Sequence, residues 1–451
     1  MAYQIEKLTA FQIADAIDGR LIYGSGDTEI TSVSTDSRSI DESTLYIPIK
    51  GGRFDGHDFI FDVCKDGARG YICSDGQINE ACRFAIMVPD TRKALLKLAS
   101  YYRNLFDIPV IALTGSVGKT TTKEFVASVL SKTCKTLATK GNFNNDIGVP
   151  LTLFGIDFDT QAAVIEMGMS NFGEIETLSK CAAPDIAIIT NIGTSHIEFL
   201  GSREGILKAK SEIFSGLKHD GKVILNGDDP YLWSLRNTID FETVYVGIEN
   251  KECNLIAEDI TSNEYGSLFK CGGREYRINP VGVHNIYNAL IAIAVGEMMG
   301  LSYEKIYAGL KSYVPDGIRQ NIINTKGGYK LINDCYNSSP QSVKAALSVL
   351  DTLSAKRRIA VLGSIGELGE KSEELHRQVG TDVENSSADV LVTLGDDAKF
   401  IADEVKKKEV YVFESRNECI EFLKAFVKKD DAILVKASRF MKFEEISNSL
   451  M

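Results

Sequence analysis

The residues best equipped for chemistry stand in VIALTGSVGKTTTKEF, Val110 to Phe125. Gly115 and Gly118 flank Ser116 and Val117, and Lys119, Thr120 and Thr121 follow directly. Glycines so placed let the backbone turn tightly and aim successive N–H groups at an anion, at the start of a helix whose dipole favours negative charge. Lys119 adds a mobile positive charge for β- and γ-phosphates, and Thr120 or Thr121 offers a hydroxyl to Mg²⁺. The usual phosphate loop has four residues between its glycines, and this shorter one has two. A GTPase switch would add an N-K-x-D motif to read the base, and the sequence has none.

Other chemical groups follow along the chain. Glu166 closes the apolar run AAVIEMG, and His196 follows DIAIITNIGTSH. A carboxylate suits Mg²⁺; a histidine is a less usual partner for so hard a cation, and by residue type alone His196 reads as a capping or structural histidine. The five histidines form no H-x-x-x-H pair, which argues against zinc. In GILKAKSEIF, Ile206, Ala209 and Ile213 share one helical face, and Lys210 borders it. Composition alone makes Lys210 a solvated lysine whose stem lies along apolar surface. LNGDDP, with Asp228, ends a strand in amide and carboxylate groups able to pair with an adenine or ribose. GVHNIYNAL opens a helix with His284, Asn285 and Asn288. A cap explains Asn285 but not both asparagines.

The elements that must position these groups are legible as alternation. From residue 104 to 313, strands such as VIALTG, AAVIEMG, DIAIITNIG and KVILNGDD alternate with helix-like segments and end in glycine, acid or asparagine. That pattern predicts a parallel α/β sheet covered by helices on both faces, with ligands at the carboxyl ends of its strands. After the turn YVPDG, a second α/β series occupies 314–451; residues 1–103 mix short strands with Gly and Asp turns. A chain of 451 residues accommodates two to four domains at about 100–200 residues each. Its net charge of -12 argues against a nucleic-acid partner held through phosphates. No stretch reaches the roughly 18 apolar residues of a membrane span, and the start lacks the apolar core of a signal peptide. Nine scattered cysteines without a C-x-x-C pair predict reduced thiols in a soluble, cytoplasmic protein.

TGSVGKTTTKEF, GNFNNDIGVPLTL, EMGMSNFGEI, ITNIGTSHIEFLGSREGILKAKSEIF, NGDDP, GVHNIYNAL and NDCYNSSPQSVKAAL occur in the order typical of the Mur ligases, and the chain resembles that family. The resemblance covers nearly the whole chain, since STDSR and DGHDF resemble the family's N-terminal domain and KASRFMKFEE its C-terminal one. Within the family, GNFNN…GVPLTL and YNSSP resemble the members that join D-alanyl-D-alanine to a UDP-N-acetylmuramoyl tripeptide; the DNPR tag of the diamino-acid-adding ligase is absent. The resemblance implies three domains: a small mixed α/β UDP-substrate domain (1–103), a central P-loop ATPase domain (104–313) and a Rossmann-like domain binding the dipeptide (314–451). It implies an ATP-dependent amide bond made through an acyl phosphate by a monomer.

By motif position, Thr114, Gly115, Ser116, Val117, Gly118, Lys119, Thr120 and Thr121 resemble the triphosphate cradle, with Asp228, Asn285 and Asn288 as nucleoside or active-site contacts. Thr120 and Glu166 resemble ligands of a first Mg²⁺, and His196 and a carbamylated Lys210 ligands of a second. Arg319 resembles an arginine that reaches the γ-phosphate from beyond the linker, which implies an open and a closed form hinged near Tyr313–Gly317. Ser37 and Arg38 resemble uridine-diphosphate contacts; Asn144, Asn145, Asp334, Tyr336 and Asn337 resemble further substrate contacts. Departures from the family pattern gather in the C-terminal part: Asn333, Ser338, Ser364 and Ala437. They leave open a relative with another D-dipeptide or a depsipeptide as acceptor. A folylpolyglutamate-type ligase would lack the N-terminal uridine domain, and a nucleotide-regulated binding module would have no use for Lys119, Glu166, His196 and Lys210 together.

Overall fold

The computed structural model describes residues 2–315 and 321–451. It is a mixed α/β structure built on three sheets. The first runs, edge to edge, Tyr3–Thr9, Glu29–Ser34, Thr44–Tyr46, Gly70–Cys73, Phe84–Met87 and Arg20–Gly24. Its inner pairs are parallel and its two outermost pairs antiparallel. Helix Thr91–Arg103 follows, started by Asp90, whose carboxylate accepts the Arg92 and Lys93 N–H groups. The end of that helix rivets the first sheet to the second. Tyr102 Oη accepts the Glu6 N–H (2.9 Å) and donates to Ile156 O (2.7 Å). The Arg103 guanidinium, 2% exposed, donates to the carbonyls of Ala182, Phe106, Ile108 and Ala183.

One sequence-based expectation is corrected in this first unit. Cys64 and Cys82 are joined as a disulfide, with their Cα atoms 5.1 Å apart, where reduced thiols throughout were expected. The two lie in one apolar cluster with Tyr46, Ile60 and Val63. Their spacing of 18 residues carries no local signal of that meeting.

The central sheet runs Arg274–Ile278, Gly266–Cys271, Leu255–Asn263, Glu242–Gly247, Lys222–Asn226, Ile186–Ile189, Val110–Thr114, Ala162–Glu166 and Thr136–Ala138. Pairing is parallel from Leu255–Asn263 across to Thr136–Ala138, and antiparallel in the two pairs beyond it. Val110–Thr114, Ala162–Glu166 and Ile186–Ile189 are buried along their whole length. Helices cover both faces of such strands, which is why they read as unbroken apolar runs. Lys119–Leu130 and Val283–Met298 pack on one face, sharing a core with Ile111, Leu113 and Val164. The strand order has a chemical consequence. Val110–Thr114 lies between Ala162–Glu166 and Ile186–Ile189, so the three loops leaving their carboxyl ends converge.

The third sheet runs Asn321–Asn324, Lys330–Asn333, Asp431–Lys436, Arg357–Gly363, Val390–Leu394 and Glu409–Phe413, parallel apart from its first pair. Lys330–Asn333 and Asp431–Lys436 are neighbours, so Asp334 and Lys436 emerge side by side. Among the described residues no helix is long and apolar enough to cross a membrane.

Candidate active site

Both glycines of the phosphate loop are required by close approach. Gly115 has φ +153°, and a Cβ there would stand 1.9 Å from Thr190 Oγ1. Gly118 has φ +87°, and its Cβ would stand 2.7 Å from Asn288 Oδ1. The loop after Ile186–Ile189 braces the turn from the other side. Val117 N–H donates to Asn191 Oδ1 (2.9 Å), Asn191 Nδ2 donates back to Val117 O (2.8 Å), and Gly193 N–H donates to Ser116 Oγ (2.8 Å). Lys119 Nζ lies folded over the loop, donating to Gly115 O at 2.8 Å.

Next to the loop, Thr120 Oγ1 donates to Glu166 Oε2 at 3.0 Å, and Asn144 Nδ2 donates to Glu166 Oε1 at 2.8 Å. Asn145 Oδ1 accepts the Gly148 N–H (2.8 Å) and so shapes the turn that presents Asn144. Asn288 Oδ1 accepts from Thr122 Oγ1 (3.0 Å), and Asn288 Nδ2 donates to Asn285 Oδ1 (3.2 Å). Asn288 therefore ties the helix Val283–Met298 to the helix of the phosphate loop, and Asn285 braces Asn288 from its own helix. Gly282, rather than Asn285, stands at the cap.

Lys210 is 2% exposed. Burial first, and the nearby Lys119 charge second, push its ammonium well below the ordinary lysine value. Among the described residues Lys210 has no hydrogen-bond or ion-pair partner. This overturns the solvated lysine of the composition-based view. Lys208, two positions away, is exposed, with Nζ 5.7 Å from the Phe172 ring centre. His196 has a left-handed backbone (φ +63°), and its Nδ1 lies 2.6 Å from Glu367 Oε2. That contact holds the Glu367 carboxyl below the ordinary glutamate value. From the third sheet, Lys436 Nζ donates to Asp334 Oδ2 (2.7 Å) and to Asn337 O (2.9 Å), with Lys436 2% exposed.

These groups line one cavity of about 370 Å³ between the central and third sheets. Ser116 to Thr121, Asn144, Asn145, Glu166, His196, Lys210, Asn285 and Asn288 face it from the central side; Asp334, Tyr336 and Asn337 face it from the other. Four expected residues stand elsewhere. Thr114 is the buried end of its strand. Arg38 is exposed in the first unit beside Ser37, paired with Asp36 (2.8 and 3.0 Å), whose carboxyl it holds low. Asp228 accepts the backbone N–H groups of Ile248 (2.7 Å), Glu249 (3.0 Å) and Asn250 (2.7 Å) and the Tyr287 hydroxyl (2.7 Å). Burial pushes the Asp228 carboxyl up, but these hydrogen bonds outweigh it and leave it below the ordinary value. Arg319 lies outside the described residues.

Three residues at this interface escaped the sequence reading. Lys436 ends a strand as Glu166 does, and that position is the signal that was there to use. Glu367 stands in LGSIGELG, notable in the sequence only for Ser364. Gln341 Oε1 accepts from Thr194 N (3.2 Å) and Thr194 Oγ1 (3.0 Å), and nothing local marks it.

Family models match three stretches: Mur ligase family, catalytic domain, residues 29–103; Mur ligase middle domain, 113–296; and Mur ligase, glutamate ligase domain, 318–439. Over 99% of its length the chain is 39% identical to the UDP-N-acetylmuramoyl-tripeptide–D-alanyl-D-alanine ligase of Bacillus subtilis, covering 98% of that protein. The chain belongs to the Mur ligase family. This Mur ligase is also 33% identical to the Escherichia coli ligase of the same name, with 98% of each chain covered. It superposes on MurF from Acinetobacter baumannii with a TM-score of 0.92 (33% identity, 99% of both chains). With MurF from Thermotoga maritima in complex with ADP the TM-score is 0.83, at 27% identity over 93% of this chain and 96% of that one. It is an ATP-dependent ligase.

Such a ligase calls for a divalent cation beside the triphosphate. Among the described residues, no three His, Cys, Asp or Glu side chains gather as a ready cage. Mg²⁺ needs no such cage, because it binds through one or two carboxylates together with phosphates and water. The Glu166 carboxylate and Thr120 hydroxyl, 3.0 Å apart at the mouth of the phosphate loop, are hard oxygen donors of that kind. The residues fit the ion.

Proposed function

We propose that this Mur ligase joins D-alanyl-D-alanine to a UDP-N-acetylmuramoyl tripeptide, splitting ATP to ADP and phosphate. The observation that supports it most is the shared cavity, in which phosphate loop, Glu166 and buried Lys210 face Asp334, Tyr336 and Asn337 across two sheets. A carboxylate is a poor electrophile until one of its oxygens becomes a good leaving group. Transfer of the γ-phosphoryl to the tripeptide carboxylate provides that group. The dipeptide amine then attacks the acyl carbon, an amide forms and phosphate departs.

The residues divide this work. Ser116 and Val117 N–H are taken by Asn191. The backbone N–H groups from Gly118 to Thr121 at the helix start therefore hold the triphosphate, and Lys119 exchanges its bond to Gly115 O for a phosphate oxygen. Ser37 and Arg38 hold the uridine diphosphate in the unit 1–103, and Asn144 and Asn145 place the tripeptide end. Asp334, Tyr336 and Asn337 of the unit 314–451 receive the dipeptide, and Arg319 meets the γ-phosphate. Thr120 and Glu166 would hold one Mg²⁺, and His196 and Lys210 a second, and the ions when bound would supply charge neutralisation between the two anionic reactants. For that role the neutral Lys210 amine adds CO₂ and loses a proton, becoming a carbamate. Its burial and lowered ammonium stability support the neutral form this requires. The enzyme works as a monomer in the cytoplasm.

A second acceptor reading rests on three buried polar atoms. Asn333 Oδ1, Ser338 Oγ and Ser364 Oγ have no hydrogen-bond partner among the described residues. All three belong to residues that depart from the family pattern, which favours testing other D-dipeptides and depsipeptides. Phosphate release with UDP-muramoyl tripeptide and a panel of such acceptors is the direct assay. Release that requires both substrates, with D-alanyl-D-alanine the best acceptor, is expected. Release independent of the muramoyl tripeptide refutes the proposal.

A further inference from the structure

One loop, Asn191 to Glu198, is gripped from two sides. On one side it braces the phosphate loop through Asn191 and Gly193. On the other it is held by two side chains of the third unit. Gln341 Oε1 accepts from the backbone and hydroxyl of Thr194, and Glu367 Oε2 lies 2.6 Å from His196 Nδ1. Glu198 N–H also donates to Glu367 O at 3.2 Å. The two residues that meet share an unusual backbone: His196 has φ +63° and Glu367 has φ +62°. Left-handed non-glycine residues are uncommon, and they persist where surrounding contacts over-determine them, often at functional sites.

An imidazole that serves as a metal ligand through one nitrogen usually has the other held by a carboxylate or carbonyl, which fixes ring orientation and tautomer. Here that carboxylate comes from a different unit than the histidine. We propose that Glu367 is a positioning residue: its carboxylate stands against Nδ1 as an ion-pair contact, not an aligned hydrogen bond, and by tightening on it presents Nε2 of His196 to the cavity, so that the cation side of the central site is complete only while the third unit is docked. This rests on the assignment of His196 as a metal ligand. Gln341 grips the same loop without touching the ring, and so supplies an internal comparison.

The test uses the full-length enzyme with ADP, with Mn²⁺ as the probe cation followed by electron paramagnetic resonance, and ¹⁵N spectra of the histidine ring without metal. Glu367→Ala is expected to weaken Mn²⁺ binding about 10–100-fold, the usual effect of losing such a partner. The ring should also lose its single tautomer signature. Glu367→Gln, which keeps an oxygen acceptor, should restore much of both. Gln341→Ala should leave Mn²⁺ affinity within about twofold and the ring spectrum unchanged. If Glu367→Ala and Gln341→Ala weaken Mn²⁺ equally, Glu367 acts only by docking the unit and the inference is overturned. If His196→Ala weakens Mn²⁺ while Glu367→Ala leaves both readouts as in wild type, the positioning role alone is overturned. If His196→Ala changes nothing, the ligand assignment falls with it.

Discussion

Asp228 separates a nucleotide contact from a structural clamp. Its half-buried carboxylate accepts four hydrogen bonds of 2.7–3.0 Å, three from consecutive backbone N–H groups at 248–250 and one from Tyr287. Hydrogen bonds to a charged group contribute about 1.5–3 kcal/mol each when deleted singly. Removal of the whole acceptor lets the exposed Glu249 end of the turn return to water, so the net loss for Asp228→Ala is about 2–4 kcal/mol. For a unit of this size that corresponds to a fall in Tm of roughly 5–15 °C. The dependence on pH has a defined sign. The folded carboxyl titrates below its unfolded value of about 3.9, so its contribution is complete above that pH and fades as pH falls through the depressed folded value. The gap between wild type and variant should therefore narrow only in acid. Differential scanning calorimetry from pH 3 to 8, with KM for ATP at pH 7.5, checks both parts. A variant that melts within about 2 °C of wild type but shows a tenfold higher KM for ATP would refute the clamp and restore the nucleoside contact.

Three further outcomes are expected. Lys119→Ala should abolish ATP turnover and leave UDP-substrate binding by calorimetry within a few-fold of wild type; equal loss of both would refute the separation of the two sites. Lys210→Ala should be nearly inactive in phosphate release and recover with added short-chain carboxylic acids, whereas the exposed Lys208→Ala should stay close to wild type; rescue of Lys208→Ala alone would reverse the assignment. Small-angle scattering should show a smaller radius of gyration with an ATP analogue and UDP-substrate than without, and an unchanged radius would count against hinge closure as a required step.

The parts of this molecule that the sequence discloses are those written within a few residues. Gly115 to Thr121, the strand end at Glu166 and the loop that carries His196 are local patterns, and the sheet order explains why they converge. The edge strands Leu255–Asn263, Gly266–Cys271 and Arg274–Ile278 went unread because their residues are unevenly exposed, unlike the solid apolar runs of the parallel centre. The burial of Lys210 depends on what packs around its helix, and one amphipathic turn does not reveal that. Asp228 shows the reverse case. Its position after a strand fits a ligand contact, yet its backbone hydrogen bonds go to a turn 20 to 22 residues away. Glu367, Gln341 and Lys436 gain meaning only from the meeting of two sheets, which no window of sequence contains.

The rivet at Tyr102 and Arg103 bears on how such enzymes can be recombined. Tyr102 spans from Glu6 to Ile156, and Arg103 satisfies carbonyls on both the linker and the far helix around Ala182. A chimera that took its first hundred residues from a distant relative would carry a foreign plug into that socket, and the guanidinium would be left facing carbonyls in the wrong places. The natural seam for gene fusion or shuffling is thus not between the first and second units. Those two travel as one cassette, and an exchange that begins after Tyr313 leaves the rivet whole.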